Sequence, residues 1–298
     1  MEHEMSVAFI GSSGGISGYL PNSVGIYDAL RAGHRALHFL EDAISIKEPV
    51  NMDQFATANP GEGTRTFSLA IHCYGRMQVN FIRDFQGAPM FYWRDSTGYL
   101  DWRGYPTFQG EKHRWVNEVY PCVEGYGIDG SYIEGLAVNA PGDGFSLGGP
   151  QGGLGQVSGS MLRLGALNGN RNGVAIVNGV HLVIEGPDPF IERNGRDKQE
   201  IRTGVYFEGP HKDHPSYKTR GLSVIRNTHH ELSGKDGNWG IIVHQARDVV
   251  IEDPYLYLSD IWLTSSTREC SIIRPQLWES EVVDHGYGNK IIDPISIS

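Results

Sequence analysis

Little in this chain would cross-link it covalently or anchor it in a bilayer. Its 298 residues contain three cysteines, Cys73, Cys122 and Cys270. They are odd in number, widely spaced and without a CxxC pair, which argues against a disulfide framework and for reduced core thiols in a protein assembled inside a cell. No apolar run approaches the ~18 residues that cross a membrane as a helix, so membrane insertion is not expected. The opening Met-Glu-His-Glu-Met is acidic and leads into a Gly/Ser-rich stretch, unlike a secretory signal. Lys and Arg form no cluster and the net charge is −10, so a nucleic-acid partner is not expected. Nothing calls for a cofactor. His211, His214, His229 and His230 lie in loop-like stretches without the fixed spacing of a metal-ligand set, so no metal site is expected.

Glycine, by contrast, is abundant: 39 residues, about 13 per cent against a usual ~7%. It punctuates a repeated phrase that reads Val183-Ile184-Glu185-Gly186-Pro187, Val224-Ile225-Arg226-Asn227, Val250-Ile251-Glu252-Asp253-Pro254, Ile272-Ile273-Arg274-Pro275 and Ile291-Ile292-Asp293-Pro294. Aligned on the second apolar residue (184, 225, 251, 273, 292), the copies lie 41, 26, 22 and 19 residues apart. Such intervals describe stacked repeats sharing one core, with insertions leaving as loops. A second strand precedes each copy: Gly173-Val174-Ala175-Ile176, Gly204-Val205-Tyr206-Phe207, Gly240-Ile241-Ile242-Val243 and Asp260-Ile261-Trp262-Leu263. Period-2 alternation turns Val174/Ile176, Val205/Phe207, Ile241/Val243 and Ile261/Leu263 inward. The outward column Tyr206, Ile242, Trp262 is too apolar for open solvent and calls for cover by a loop or a neighbouring subunit. The residues after the second apolar position, Glu185, Arg226, Glu252, Arg274 and Asp293, form a ladder of alternating sign.

Nearer the amino terminus, Tyr27-Asp28-Ala29-Leu30-Arg31-Ala32-Gly33 predicts a short helix within 22–33 that ends at glycine and caps the first repeat. Residues 91–120 hold the densest aromatic stretch, and we expect a large loop excursion there. Further insertions are expected at 187–202, 208–220 and 227–238. Three readings of the aromatic stretch stay open: a sugar platform, a protein interface, or burial against the chain's own flank.

The run Ala29-Leu30-Arg31-Ala32-Gly33, Leu37-His38-Phe39, Ile44-Ser45-Ile46, followed by Cys73-Tyr74-Gly75-Arg76-Met77-Gln78-Val79, resembles the opening of pectate-lyase-like right-handed β-helices in bacteriophage tailspikes. The "GV-I…V-I-(E/D)" repeats from 172 to 294 are similar to the same architecture. The resemblance covers residues 22–298 and implies an all-β, right-handed parallel β-helix with an amino-terminal capping helix. Residues 1–21 would then be an attachment segment contacting other virion tail proteins. It further implies a homotrimer, assembled in the host cytoplasm, located in the virion tail and binding host surface polysaccharide, with depolymerase activity as an extension. Alternatives are a purely structural virion or baseplate component and a free-standing polysaccharide lyase or hydrolase. Glycoside hydrolysis needs two nearby carboxylates, and Asp213, Glu231 and Asp236 are the candidates, set against their reading as solvated surface acids. For glycan binding we expect Trp93, Trp102 and Trp115 as stacking rings, Asp101 and Arg103 as hydroxyl partners, and Trp239 from the adjoining flank.

Overall fold

The structure, a computed structural model, describes residues 6–11, 18–59, 64–75, 78–114, 118–149, 155–186, 190–192, 194, 203–210, 222–231 and 239–297. The described residues are all-β apart from the helix Ser23–Arg31 and one short 3-10 turn, Met52–Phe55. Its strands form a 25-stranded sheet and a 5-stranded sheet. Pairing is parallel throughout the repeats; Thr57–Ala58 against Arg65–Cys73 is antiparallel.

One interior column runs through nearly the whole chain. Ala8, Leu37, Ile71, Trp102, Ile133 and Leu162 pair in register, each with the next. The column continues through Ile184, Ile225, Ile251, Ile272 and Ile291. All but the last are at most 3% exposed. A single core is therefore built by putting one apolar side chain of each repeat above that of the previous one, about 4.8 Å apart. Two further rows of strands accompany it. The first includes Phe145–Leu147, Val174–Ile176, Thr203–Glu208, Trp239–His244 and Asp260–Leu263. The other is the five-stranded sheet from Phe190–Glu192 to Ile295–Ile297.

The expected column ended at Ile273 and Ile292; the structure places Ile272 and Ile291 there instead. Aligning the copies on their apolar pair slips by one in the last two repeats. The prolines mark the true register, since the Gln276 amide donates to the Pro254 carbonyl and the Ile295 amide to that of Pro275. The charge ladder is corrected with it. Glu185, Arg226 and Glu252 are in register, but Ile273 and Ile292 follow them. Arg274 and Asp293 sit one residue later, where φ is about 50° in each, at the sharp bend that Asn227 and Asp253 also make (both φ 52°). The ladder instead extends the other way. Arg163 lies in register between Glu134 and Glu185, 3.5 Å and 3.9 Å from their carboxylates.

The helix forms as expected. Asn22 caps it by accepting from the Gly25 amide at 3.1 Å, and it ends at Gly33, whose φ of 91° a side chain would resist. Its buried Ile26, Ala29 and Leu30 join the same core. Two segment boundaries change. Val7–Ile10, inside the expected attachment segment 1–21, pairs with Ala36–Phe39 and belongs to the sheet. Residues 91–120 are not one loop excursion, because Phe91–Arg103 is a continuous 13-residue strand and Thr107–Gln109 another. The expected insertions also hold strands, Phe190–Glu192 and His229–Glu231, while 195–202, 211–221 and 232–238 lie outside the described residues. Cys122 and Cys270 are buried free thiols and Cys73 is partly buried; burial pushes Cys73 and Cys122 up to about 12.

Candidate functional site

The first strand row carries a cleft on its outward side. Inward residues Val174/Ile176, Val205/Phe207, Ile241/Val243 and Ile261/Leu263 are at most 1% exposed, so alternation sends Ala175, Tyr206, Ile242 and Trp262 outward. Those four are in register across neighbouring strands. Tyr206 and Trp262 are two strands apart, roughly 10 Å, with the shorter Ile242 between them. The result is a cleft of about 550 Å³, within the size range of ligand sites.

Its two edges are polar. On one side Asp143, 2% exposed, receives two bonds from Arg171 (2.9 and 3.0 Å) and one from Asn172 Nδ2 (2.9 Å). A side chain this polar and this buried needs such donors in place of water. On the other side, His244 Nδ1 lies 3.0 Å from Thr264 Oγ1 and 3.3 Å from Ser266 Oγ, which fixes the ring's orientation. The Tyr206 hydroxyl donates to Glu208 Oε2 at 2.8 Å, and Gln245 Nε2 donates to Oε1 at 3.2 Å. Burial and then the Glu208 carboxylate raise the Tyr206 pKa well above its ordinary value, so the phenol stays neutral. Trp262 donates its indole N–H to His285 Nδ1 at 3.3 Å, and the Trp239 ring lies 5.1 Å away against it.

Of the described residues expected to hold a glycan, Trp239 alone is placed beside this cleft, against Trp262. Trp93 and Trp102 are corrected: both are 0% exposed, and a buried ring offers no face to a sugar. The strand Phe91–Arg103 alternates, with Phe91, Trp93, Leu100 and Trp102 turned in and Tyr92, Arg94, Asp101 and Arg103 outward. Trp93 donates to the Gly127 carbonyl at 2.8 Å and packs edge-on against Phe67; Trp102 packs against Phe91 and Phe108. Their neighbour Gly125 must be glycine, because a Cβ there would overlap the Trp93 indole. Of the three open readings for the stretch, burial is the outcome for these two rings.

Asp101 and Arg103 do meet, at 2.6 Å, but in the row of the interior column's strands rather than at the cleft. There His72 Nε2 is 3.2 Å from Asp101 Oδ2, the Arg103 guanidinium lies 3.9 Å over the Tyr132 ring, and Tyr132 donates to Glu134. Glu231 ends a strand of the five-stranded sheet, in register with Tyr257, and does not line the cleft. Trp115, Asp213 and Asp236 lie outside the described residues. The apolar outward column needs no second subunit at its centre, since Ile242 is already 2% exposed within one chain.

Sequence reasoning missed Asp143, Arg171, Asn172 and His244 as site residues. The available signal was the outward column itself: cleft residues flank it at the turn before and at the strand end after. Comparison with protein-family models, with curated proteins and with solved structures finds no match to this chain.

Proposed function

We propose that the strand rows close on one another as a right-handed parallel β-helix and that its cleft binds an extended polysaccharide. The observation that carries the binding reading is the pair Tyr206 and Trp262 standing either side of Ile242. Aromatic rings take the C–H face of a pyranose, while polar groups at the cleft's edges take its hydroxyls. For the fold, support comes from the unbroken parallel register of the interior column. Crossovers between parallel strands of one sheet are right-handed in nearly all proteins. The resemblance to tailspikes supplies the setting: a virion tail protein, assembled in the host cytoplasm, that attaches to host surface polysaccharide. The homotrimer and the contact of residues 1–21 with other tail proteins rest on that resemblance alone.

The test incubates purified protein with capsule or lipopolysaccharide from candidate hosts and follows retention together with new reducing or unsaturated ends. Retention without new ends makes the protein an adhesin. New ends make it a depolymerase, and ends that persist in Asp213→Ala, Glu231→Ala and Asp236→Ala remove those acids from the chemistry. Neither outcome across the true host's glycans leaves a structural virion role. Sedimentation at micromolar concentration tests the trimer, which a stable monomer would rule out.

A further inference from the structure

The floor of the cleft is apolar although its edges can hydrogen-bond. Ile242 is 2% exposed and lies in register between Tyr206 and Trp262, whereas Ala175, 7% exposed, lies in register beside Ser146, which also lines the cleft. The two aromatic walls have already committed their polar hydrogens, Tyr206 to Glu208 at 2.8 Å and Trp262 to His285 at 3.3 Å. The remaining donors and acceptors lie to either side of Ile242, with Ser146, Asn172 and Asp143 on one side and His244 and Thr264 on the other. A sugar seated across the cleft finds hydroxyl partners at both rims. A substituent pointing down onto Ile242, between the two rings, meets carbon. A hydroxyl there would be stripped of water with no partner in exchange, which is unfavourable. A methyl group would lose only unfavourable hydration and gain contacts.

From this we infer that the cleft selects sugars bearing a methyl-terminated substituent, either a 6-deoxy carbon or an N-acetyl group, over their fully hydroxylated counterparts. The inference rests on the glycan-binding reading and narrows it to a substrate class. Both substituents present the same methyl chemistry, so the experiment must separate them.

A broad printed glycan panel containing matched pairs does so. Chitotriose and cellotriose differ in bearing N-acetyl or hydroxyl at carbon 2; L-fucosides and L-galactosides differ at carbon 6. Titration should show the methyl-bearing member of one pair binding about ten-fold more tightly, and saturation-transfer NMR should give its strongest signal on that methyl. Ile242→Thr puts a hydroxyl on that floor and should bring the pair towards parity, with unchanged circular dichroism, whereas Ile242→Val, equal to Thr in size, should keep the preference. Equal binding of both members overturns the inference and leaves glycan binding intact. A preference that survives Ile242→Thr also overturns it, by seating the methyl elsewhere. No binding anywhere on the panel overturns the glycan reading and the inference together.

Discussion

Between Phe39 and Phe145 the interior is filled with rings. Phe39 meets Phe81 at 5.0 Å, Phe81 stacks on Phe108 at 5.2 Å, and Phe108 meets Phe145 at 5.7 Å. From Ile184 to Ile272 the interior column is isoleucine alone; Phe207 stays buried beside it, but Tyr206, Trp239 and Trp262 are partly exposed. Repeat length also varies: successive column residues are 34, 31, 31 and 29 apart from Leu37 to Leu162, 22 and 41 from Leu162 to Ile225, and 26, 21 and 19 from Ile225 to Ile291. Bulky rings fill the amino-terminal interior to native density where aliphatic side chains would leave voids. The same residue types are thus core in one half and cleft wall in the other. Composition does not distinguish the two; position in the strand does.

The sharpest way to break the comparison is to truncate each interior. Trp102→Ala should cost about 3–5 kcal/mol, whereas Ile251→Val should cost about 0.5–1.5 kcal/mol. Chemical denaturation followed by circular dichroism measures both. Equal losses would show that the amino-terminal interior collapses around the missing ring.

A second test concerns His230, which lies in register between Ile191's strand position and Leu256, 0% exposed, with neither ring nitrogen partnered. Burial, with His229 adding, lowers its pKa from 6.5 to about 3. Below pH 6.5 the unfolded chain takes up a proton that the folded one refuses. Stability is therefore fully present above pH 6.5 and falls as pH drops from there towards 3, by on the order of 4 kcal/mol. His230→Leu should flatten that slope relative to the parent. An unchanged slope would show that the imidazole finds a partner or water.

At the cleft, Trp262→Ala and Tyr206→Ala should each lower glycan retention several-fold, about 1 kcal/mol per ring, while shifting the unfolding midpoint less than Trp102→Ala. A larger stability loss at Trp262 would make it core rather than wall. Smallest of all is the charge ladder. The Arg226 side chain is 40% exposed and pairs with Glu185 at 3.2 Å, so reversal to Glu should cost about 1 kcal/mol or less, and high salt should shrink the effect.

Much of the carboxy-terminal half was legible in the sequence. The repeats there are short, and their alternating Val and Ile residues assign inward and outward positions with little ambiguity. The outward column Tyr206, Ile242, Trp262 was readable for that reason. The amino-terminal repeats were legible only in their opening strands, where alternation marks 36–40, 44–46 and 67–71; beyond them Leu37, Ile71, Trp102, Ile133 and Leu162 share a column but no common phrase. The strands within 91–120 were hidden among aromatics that looked like a loop. In Phe91–Arg103 the alternation is broken between Arg94 and Leu100, where two exposed residues, Arg94 and Asp95, follow one another.

By itself the sequence determined that the chain is all-β, that it repeats, and that a helix ending at Gly33 precedes the first long run of strands. Local alternation and turn chemistry suffice for that, since both act over a few residues. The tertiary structure decided register, and with it which isoleucine closes the column, where the charge ladder runs and which tryptophans are buried. It also decided that Asp143, Arg171 and His244, far apart in the chain, flank one apolar floor. These depend on which residues of distant repeats lie side by side, and a one-residue slip exchanges the inside for the outside.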